Sequence, residues 1–443
     1  MSETENLERW IERQYPIAVR NMLRSISATG IVKPRPGFGQ VIVPKKGSVV
    51  ASPVPASYDP DPDYFFHWYR DSAVVIEAMR LLDGEEATRN FCDFVAFSLD
   101  LNRLRGRDLV EDPGWRAGVA HDFEQFVRED DDLAAIEIRG ETRVNPDGTL
   151  DISRWNRPQY DGIAARALTV LRWAKSRASF GAEHDRAIAT LLREDLLFIL
   201  AHWREASYCI WEEEKAHHYY TLRVQSAALE EGADWLAEHG EVGAAQSARA
   251  VVAEIYGLLD HYWQPQGGYY RSRLVGDGKP TPKDLDIAVI LAVIHVGGAS
   301  PSHSPHDARS EATLDHLDAL FEAEYPINHA RPEGRGPALG RYANDSYYAG
   351  GAYYFSTLGA AEFCFLRAKA LSQVDPAAAA RIFARGDAYI ETIRAYTPDD
   401  GEMSEQFDKT TGAHVSARHL AWSYAGFITT VSARKAAGSK MAM

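Results

Sequence analysis

A chain of 443 residues is long enough to build one large ring or barrel, or two to three average domains, around a sizeable core. Its formal net charge of −15 lacks the basic surface that nucleic acid requires, and its three cysteines, Cys92, Cys209 and Cys364, are too few and too scattered for a disulfide framework or a cysteine metal site. The charged N-terminus MSETENLERWIERQ has no signal-peptide core and the longest apolar run, around Ile287 to Val296, is too short to span a bilayer, so the chain reads as cytoplasmic and without a membrane partner.

Apolar residues at helical spacing recur throughout, as in Ala164, Ala167, Leu168 and Leu171, whereas strand-like alternation is scarce. In chain order the pattern and its breakers predict helices near 7–29, 70–83, 85–104, 159–177, 183–204, 221–239, 242–262, 284–297, 307–323, 348–371, 376–394 and 416–436. Pro16 kinks the first of these or marks its true start. The break at 105–158 holds an acidic run, Asp130-Asp131-Asp132, read as a solvated face, and a turn cluster, Asn145-Pro146-Asp147-Gly148, suited to closing a small hairpin. Long connectors precede every second helix, at intervals of roughly sixty to ninety residues, which predicts an all-α (α/α)6 toroid of six stacked hairpins with functional loops at one end. Residues 1–437 form this single domain, and 438–443 read as a frayed tail.

Those long connectors share an aromatic-plus-charged vocabulary that suits a sugar site, with rings to stack on and charged groups to bind hydroxyls. They hold Tyr64, Trp68, Arg70 and Asp71; Trp155; Trp211-Glu212-Glu213; Lys283-Asp284; Arg341 and Tyr347; and Glu405, with Trp422 on the helix that follows. A glutamate held against an indole, as in Trp211-Glu212, has the surroundings a general acid needs, because burial disfavours the carboxylate. By itself that triplet reads equally as first-turn helix charge. Arg70-Asp71 reads otherwise as a helix-start ion pair, Asp161 and Asp284 as N-caps, and Tyr424 as core. His217, His218, His303 and His306 have no partner at metal-ligand spacing and read as surface or loop residues, so no metal is expected.

In order and spacing, from about Leu7 to Val431, the segments PDYFFHWYRDS, RPQYDG, YCIWEE, GRYANDSYY, MSEQFDK and VSARHLAWSYA resemble the glucoamylases, glycoside hydrolase family 15. The resemblance implies an (α/α)6 barrel that hydrolyses α-glucosidic bonds from the non-reducing end with inversion, releases β-glucose and needs no cofactor. It makes Glu212 the general acid and Glu405 the general base; inversion requires the two carboxyls to stand roughly 6.5–9.5 Å apart. It further implies that Arg70 and Asp71 clamp the terminal glucose with Trp68 beside them, and that Tyr64 lies near the developing oxocarbenium and the base. Trp155 walls the acid, Glu213 accepts hydroxyls of the next sugar, Arg341 bridges the two sugars, and Tyr347 and Trp422 stand behind.

Two positions depart from the fungal pattern. Cys209 stands where those enzymes carry an aspartate, removing an acceptor near the acid, and Tyr353 stands where they usually carry a tryptophan in the wall of the outer subsites. With no starch-binding module or leader expected, the implied substrate is a short soluble malto-oligosaccharide. The alternatives are the same mechanism on α-1,6-linked isomaltose or on trehalose, a non-catalytic carbohydrate-binding relative, and, more remotely, a helical-toroid lyase or epimerase. No pattern in the sequence specifies an oligomeric state.

Overall fold

A computed structural model of the protein describes residues 6–56, 62–82, 84–275, 281–329 and 331–441. The periodic stretches form twelve long helices among these residues. They are α1 (Leu7–Leu23), α2 (Tyr69–Met79), α3 (Glu85–Leu101), α4 (Asp161–Ser176), α5 (Ala182–His202), α6 (Tyr219–Glu238), α7 (Val242–Leu259), α8 (Ala288–Val296), α9 (Ala308–Glu324), α10 (Tyr354–Leu371), α11 (Pro376–Tyr396) and α12 (Ala421–Met441). The even-numbered helices pack in succession, α2 on α4, α4 on α6, and so on to α12 on α2, which closes a ring. α1, α5, α7, α9 and α11 pack outside that ring, and α3 packs on α5. This is an (α/α)6 barrel.

Position in the ring explains composition. α10 is inner and is buried on most sides, from Tyr354 to Ala368, so its apolar residues do not form one stripe. Outer α3 buries a single face, Phe91, Phe94, Val95, Ser98 and Leu101 among it, and leaves charge on the other. Inside, Arg166 on α4 forms an ion pair with Asp195 on α5 at 2.7 Å, both fully buried, which fixes one hairpin's register.

Several boundaries differ from the sequence expectation. α1 ends at Leu23 and contains Pro16 within it rather than starting there. α8 begins at Ala288, four residues after Asp284, because the segment before it turns to pair Asp284 with Arg271 at 3.0 Å. The expected tail is instead helical through Met441, since α12 packs against α1 and buries Ala437; residues 442–443 and the expected helix end at Asp83 lie outside the described residues. Asp130 to Asp132 are exposed, as expected of a solvated face. The cluster at Asn145 makes its turn, with Gly148 N–H donating to the Asn145 carbonyl at 3.0 Å.

The site-bearing loops are pinned by ladders only a few residues long. His67–Trp68 pairs antiparallel with Arg143–Val144, Lys215–His218 lies between Ser207–Tyr208 and Arg273–Leu274, and Gln406–Phe407 lies between Ala352–Tyr353 and His414–Val415. In each case a strand runs directly into an inner helix, at Tyr69, Tyr219 and Tyr354. Gly162, in the first turn of α4, lets α2 approach closely: a Cβ there would stand 2.6 Å from the Tyr69 Cβ and 3.0 Å from the Arg70 backbone nitrogen. Gly162→Ala is expected to destabilise the fold by about 1–3 kcal/mol through overpacking, despite alanine's better helix propensity, as measured by thermal or denaturant unfolding.

Candidate active site

The twelve residues given catalytic or sugar-binding roles in the sequence, from Tyr64 to Trp422, line one cavity of about 430 Å³ at the N-terminal ends of the inner helices, whereas Lys283 and Asp284 lie outside its lining. The chain separation of the twelve is spanned by the ring itself, which brings the loops before α2, α4, α6, α10 and α12 to one mouth, with Lys283 of the loop before α8 reaching Glu213.

Glu212 occupies a tight turn in which its N–H donates to the Cys209 carbonyl at 2.8 Å. Its φ of 61° is a left-handed conformation uncommon for a side-chain-bearing residue, held here because Asn156 also donates to its carbonyl at 2.6 Å. The side chain meets Arg70, whose two terminal nitrogens each donate to Oε1 at 3.2 Å, and the Trp155 indole, which donates to Oε2 at 2.8 Å. The indole that touches the carboxyl is therefore Trp155. The Trp211 indole points away and donates to Asp286 at 2.9 Å.

Arg70 donates to the Ile210 carbonyl at 2.5 Å and to Asp71 at 2.8 Å, and its guanidinium lies 5.2 Å from the Trp422 ring centre. Trp422 stacks on Phe355 at 4.3 Å and 8°, and Phe355 stacks in turn on Trp211 at 6.0 Å. Trp422 and Tyr347 thus line the cavity themselves rather than standing behind it. On another wall Arg143, buried and paired with Asp151 at 2.8 Å, lies 3.8 Å from the Trp155 ring and 4.8 Å from the Trp68 ring, and holds both in place.

Glu405 leaves a short strand-to-turn segment in which its N–H donates to the Ala417 carbonyl at 2.7 Å. The Ser416 hydroxyl donates to Oε2, and Tyr64 donates to Oε1 at 3.3 Å while sharing a 2.8 Å hydrogen bond with Tyr347. Burial raises the Glu405 carboxyl to about 7, with the Ser416 hydrogen bond and the Arg341 charge opposing the rise. Glu213 faces three donors, Lys283 at 2.7 Å, Arg341 at 2.9 Å and the Tyr342 hydroxyl. Arg341 is fixed by a two-point pair with Asp345 at 2.6 and 2.7 Å.

Other expectations resolve differently. Asp161 is the first residue of α4, and its buried carboxyl accepts from Gln159 rather than capping; burial raises it to about 7 against the field of Arg70. Asp284 caps no helix, whereas Asp286 accepts from the Ala288 N–H at 2.8 Å. Tyr424 is core, as expected, donating or accepting at Asn21, Met403 and His419. His218 and His303 are buried, not superficial, because each hydrogen-bonds inside, His218 to the Glu214 carbonyl and His303 to the Tyr219 hydroxyl, both at 3.0 Å; His217 and His306 are exposed. No cluster fit to hold a metal occurs among the described residues. Tyr353 lines the cavity, and its hydroxyl accepts from Gln406 at 2.8 Å because it lies in the strand paired with Gln406. At Cys209 the sulfur accepts from the Glu213 N–H at 3.4 Å, and the nearby carboxylate is supplied by Asp286.

The family model described as glycosyl hydrolases family 15 matches residues 22–432. The chain belongs to this family. As a family 15 glycoside hydrolase it is similar to Glucoamylase P of Amorphotheca resinae, 28% identical over 98% of this chain and 71% of that protein, and to the intracellular sporulation-specific glucoamylase of Saccharomyces cerevisiae, 26% identical over 96% and 84%. Among solved structures, the Hormoconis resinae glucoamylase superposes with a TM-score of 0.76 at 26% identity, covering 97% of this chain and 74% of that one. The family 15 fold is seen again in the glucoamylase of Saccharomycopsis fibuligera, with a TM-score of 0.78 at 19% identity and coverage of 99% and 97%.

Phe355, Ser416, Tyr342 and Asp286 were not singled out in the sequence, although each touches the site. Ser416 and Tyr342 had a signal, their places in VSARHLAWSYA and GRYANDSYY; the other two are ordinary aromatic and acidic residues whose roles depend on which loop they face. Because Ser416 donates to the Glu405 carboxylate, Ser416→Ala should raise the acid limb of the kcat/KM profile by about one pH unit if ionised Glu405 is required. A pH–rate series on both proteins measures that shift.

Proposed function

We propose that the protein is an inverting, exo-acting α-glucosidase of the glucoamylase type that releases β-glucose from the non-reducing ends of short soluble malto-oligosaccharides. The observation that carries this reading is the single cavity walled by Glu212 and Glu405, each with its own set of donors and no hydrogen bond to the other. Its inner end meets the stacked Phe355–Trp422 pair, so it suits a chain end better than a chain middle.

In this mechanism the terminal glucose sits over Trp422 and Phe355, with Arg70 and Asp71 taking its hydroxyls. Glu212 protonates the glycosidic oxygen, and Arg70 and Trp155 stabilise the carboxylate left behind. Glu405 takes a proton from a water that attacks the anomeric carbon on the opposite face, which gives the β product. Tyr64 steadies Glu405 and faces the carbon where positive charge develops, and Glu213 with Arg341 receives the leaving sugar. The similarity to an intracellular sporulation-specific enzyme and the three free, buried cysteines favour an intracellular setting; no described helix is long and apolar enough to cross a membrane.

Glu212→Gln and Glu405→Gln are each expected to lower kcat on maltose by about 10²–10⁴ while leaving the dissociation constant within a few-fold. NMR of fresh product should show β-glucose, and α-glucose or an unsaturated sugar refutes inversion. A second reading, α-1,6 linkage preference, is favoured by the crowding at Glu213, whose carboxylate already faces Lys283, Arg341 and Tyr342. On a panel of maltose, maltotriose, isomaltose and trehalose, maltotriose is expected to have the highest kcat/KM; isomaltose cleaved far faster than maltose selects the second reading.

A further inference from the structure

The inner helices carry small residues where they face the ring axis, among them Ala73, Ala165, Gly359, Gly426 and Ala433. Because those side chains stop short of the axis, a second cavity of about 380 Å³ remains there, and all six inner helices wall it. It extends from Phe355 and Trp422, which also line the catalytic cavity, toward the C-terminal ends of the inner helices, where Lys369 and Ala436 are exposed. The two cavities therefore lie back to back on one stacked pair of rings.

The chemistry of the second cavity differs from that of the first. Leu168, Val224, Leu291, Ile294 and Leu366 give it aliphatic walls. Two carboxyls line it, Glu77 on α2, which is paired with arginines, and Glu362 on α10, which accepts a hydrogen bond from the Thr429 hydroxyl. No cation pairs with Glu362 among the described residues. Both arginines of this cavity are engaged by other groups: Arg80 pairs with Glu77 at 2.8 Å, and Arg172 donates to the His295 and Val296 carbonyls at 2.9 and 2.6 Å while lying 3.5 Å from Glu77 and from Glu231. His295 is tied to the Tyr220 hydroxyl at 2.8 Å and is held neutral by burial and by the charges of Arg172 and Arg70. Lys369 stands two helical turns beyond Glu362, at the mouth. Burial, with a smaller contribution from Glu77, raises Glu362 to about 7. An unpaired carboxyl inside an apolar chamber is costly to ionise and is relieved by a cation that brings its own apolar body.

We infer that this axial cavity is a second ligand site, selective for a small monocation with an aliphatic body, such as a medium-chain primary amine, whose ammonium pairs with Glu362. The aliphatic walls take the chain, and the uncompensated carboxyl selects charge over a neutral alcohol. Since Phe355 and Trp422 wall both cavities, an occupant packs against the back of the catalytic floor, and coupling between the two sites is reciprocal.

The test is calorimetric titration of the intact protein with hexylamine hydrochloride and with hexan-1-ol, at roughly pH 8 so that Glu362 is ionised and the amine charged, with the catalytic cavity saturated by an iminosugar. The amine is expected to bind at least about tenfold more tightly than the alcohol. Glu362→Gln should erase that preference while the alcohol still binds, and Ala436→Phe, which narrows the exposed mouth without touching Glu362, should weaken both ligands. Equal affinity for amine and alcohol in the unmodified protein overturns the inference. So does a preference that survives Glu362→Gln, binding unaffected by Ala436→Phe, or amine binding that disappears when the iminosugar is present and so belongs to the catalytic carboxylates.

Discussion

The guanidinium of Arg70 is the tie on which the catalytic face depends. It is buried at the start of α2 and reaches Asp71 on its own helix, the Ile210 carbonyl and Glu212 on the loop before α6, and the Trp422 ring on α12. A buried guanidinium without partners costs several kcal/mol, so the loop that carries Glu212 is held wherever Arg70 can be satisfied. The left-handed turn at Glu212 is one consequence: that backbone is strained alone and stable once Arg70, Trp155 and Asn156 have met it. Asp161, buried at the start of α4, extends the same field.

A second arginine, Arg341, repeats the device elsewhere in the cavity wall. Arg341 is locked by Asp345 and presents its remaining face to Glu213, as Arg70 does to Glu212. The two adjacent glutamates are thereby separated by their arginines, one near the inner end of the cavity and one toward its mouth. Glu405 has no such cation in direct contact. It is held by hydroxyls, Ser416 and Tyr64, and its burial is only partly offset, which keeps its carboxyl more basic than an exposed glutamate. Hydroxyl donors rather than an ion pair suit the proposed role of Glu405 as a base, which would accept a proton from water and release it again.

The ring supplies rigidity through short elements. Each two- to four-residue ladder ends at the first residue of an inner helix, so the loops are stiff where they meet the site. Small residues on the inner helices permit the close packing that closes the ring, as Gly162 does against Tyr69, and leave the axial space behind the Phe355–Trp422 floor. The catalytic cavity and the axial cavity both follow from that construction.

The sequence by itself determined the helix count, the inner and outer alternation, and the six loops that carry the chemistry, because helical period and breaker placement are local properties. It also brought forward twelve of the residues that line the one cavity, since those residue types stand out in loops by their aromatic and charged character. What only the tertiary structure decided were partners. It turned the Trp211 indole away from Glu212 and onto Asp286, tied the Tyr353 hydroxyl to Gln406, buried His218 and His303, continued α12 past the expected tail, and revealed Phe355, Asp286 and Glu362. Each of these turns on which distant segment lies opposite, and a one-dimensional pattern does not carry that information. Contacts across the ring are set by how twelve helices close on one another, a constraint that exists only once the chain has folded.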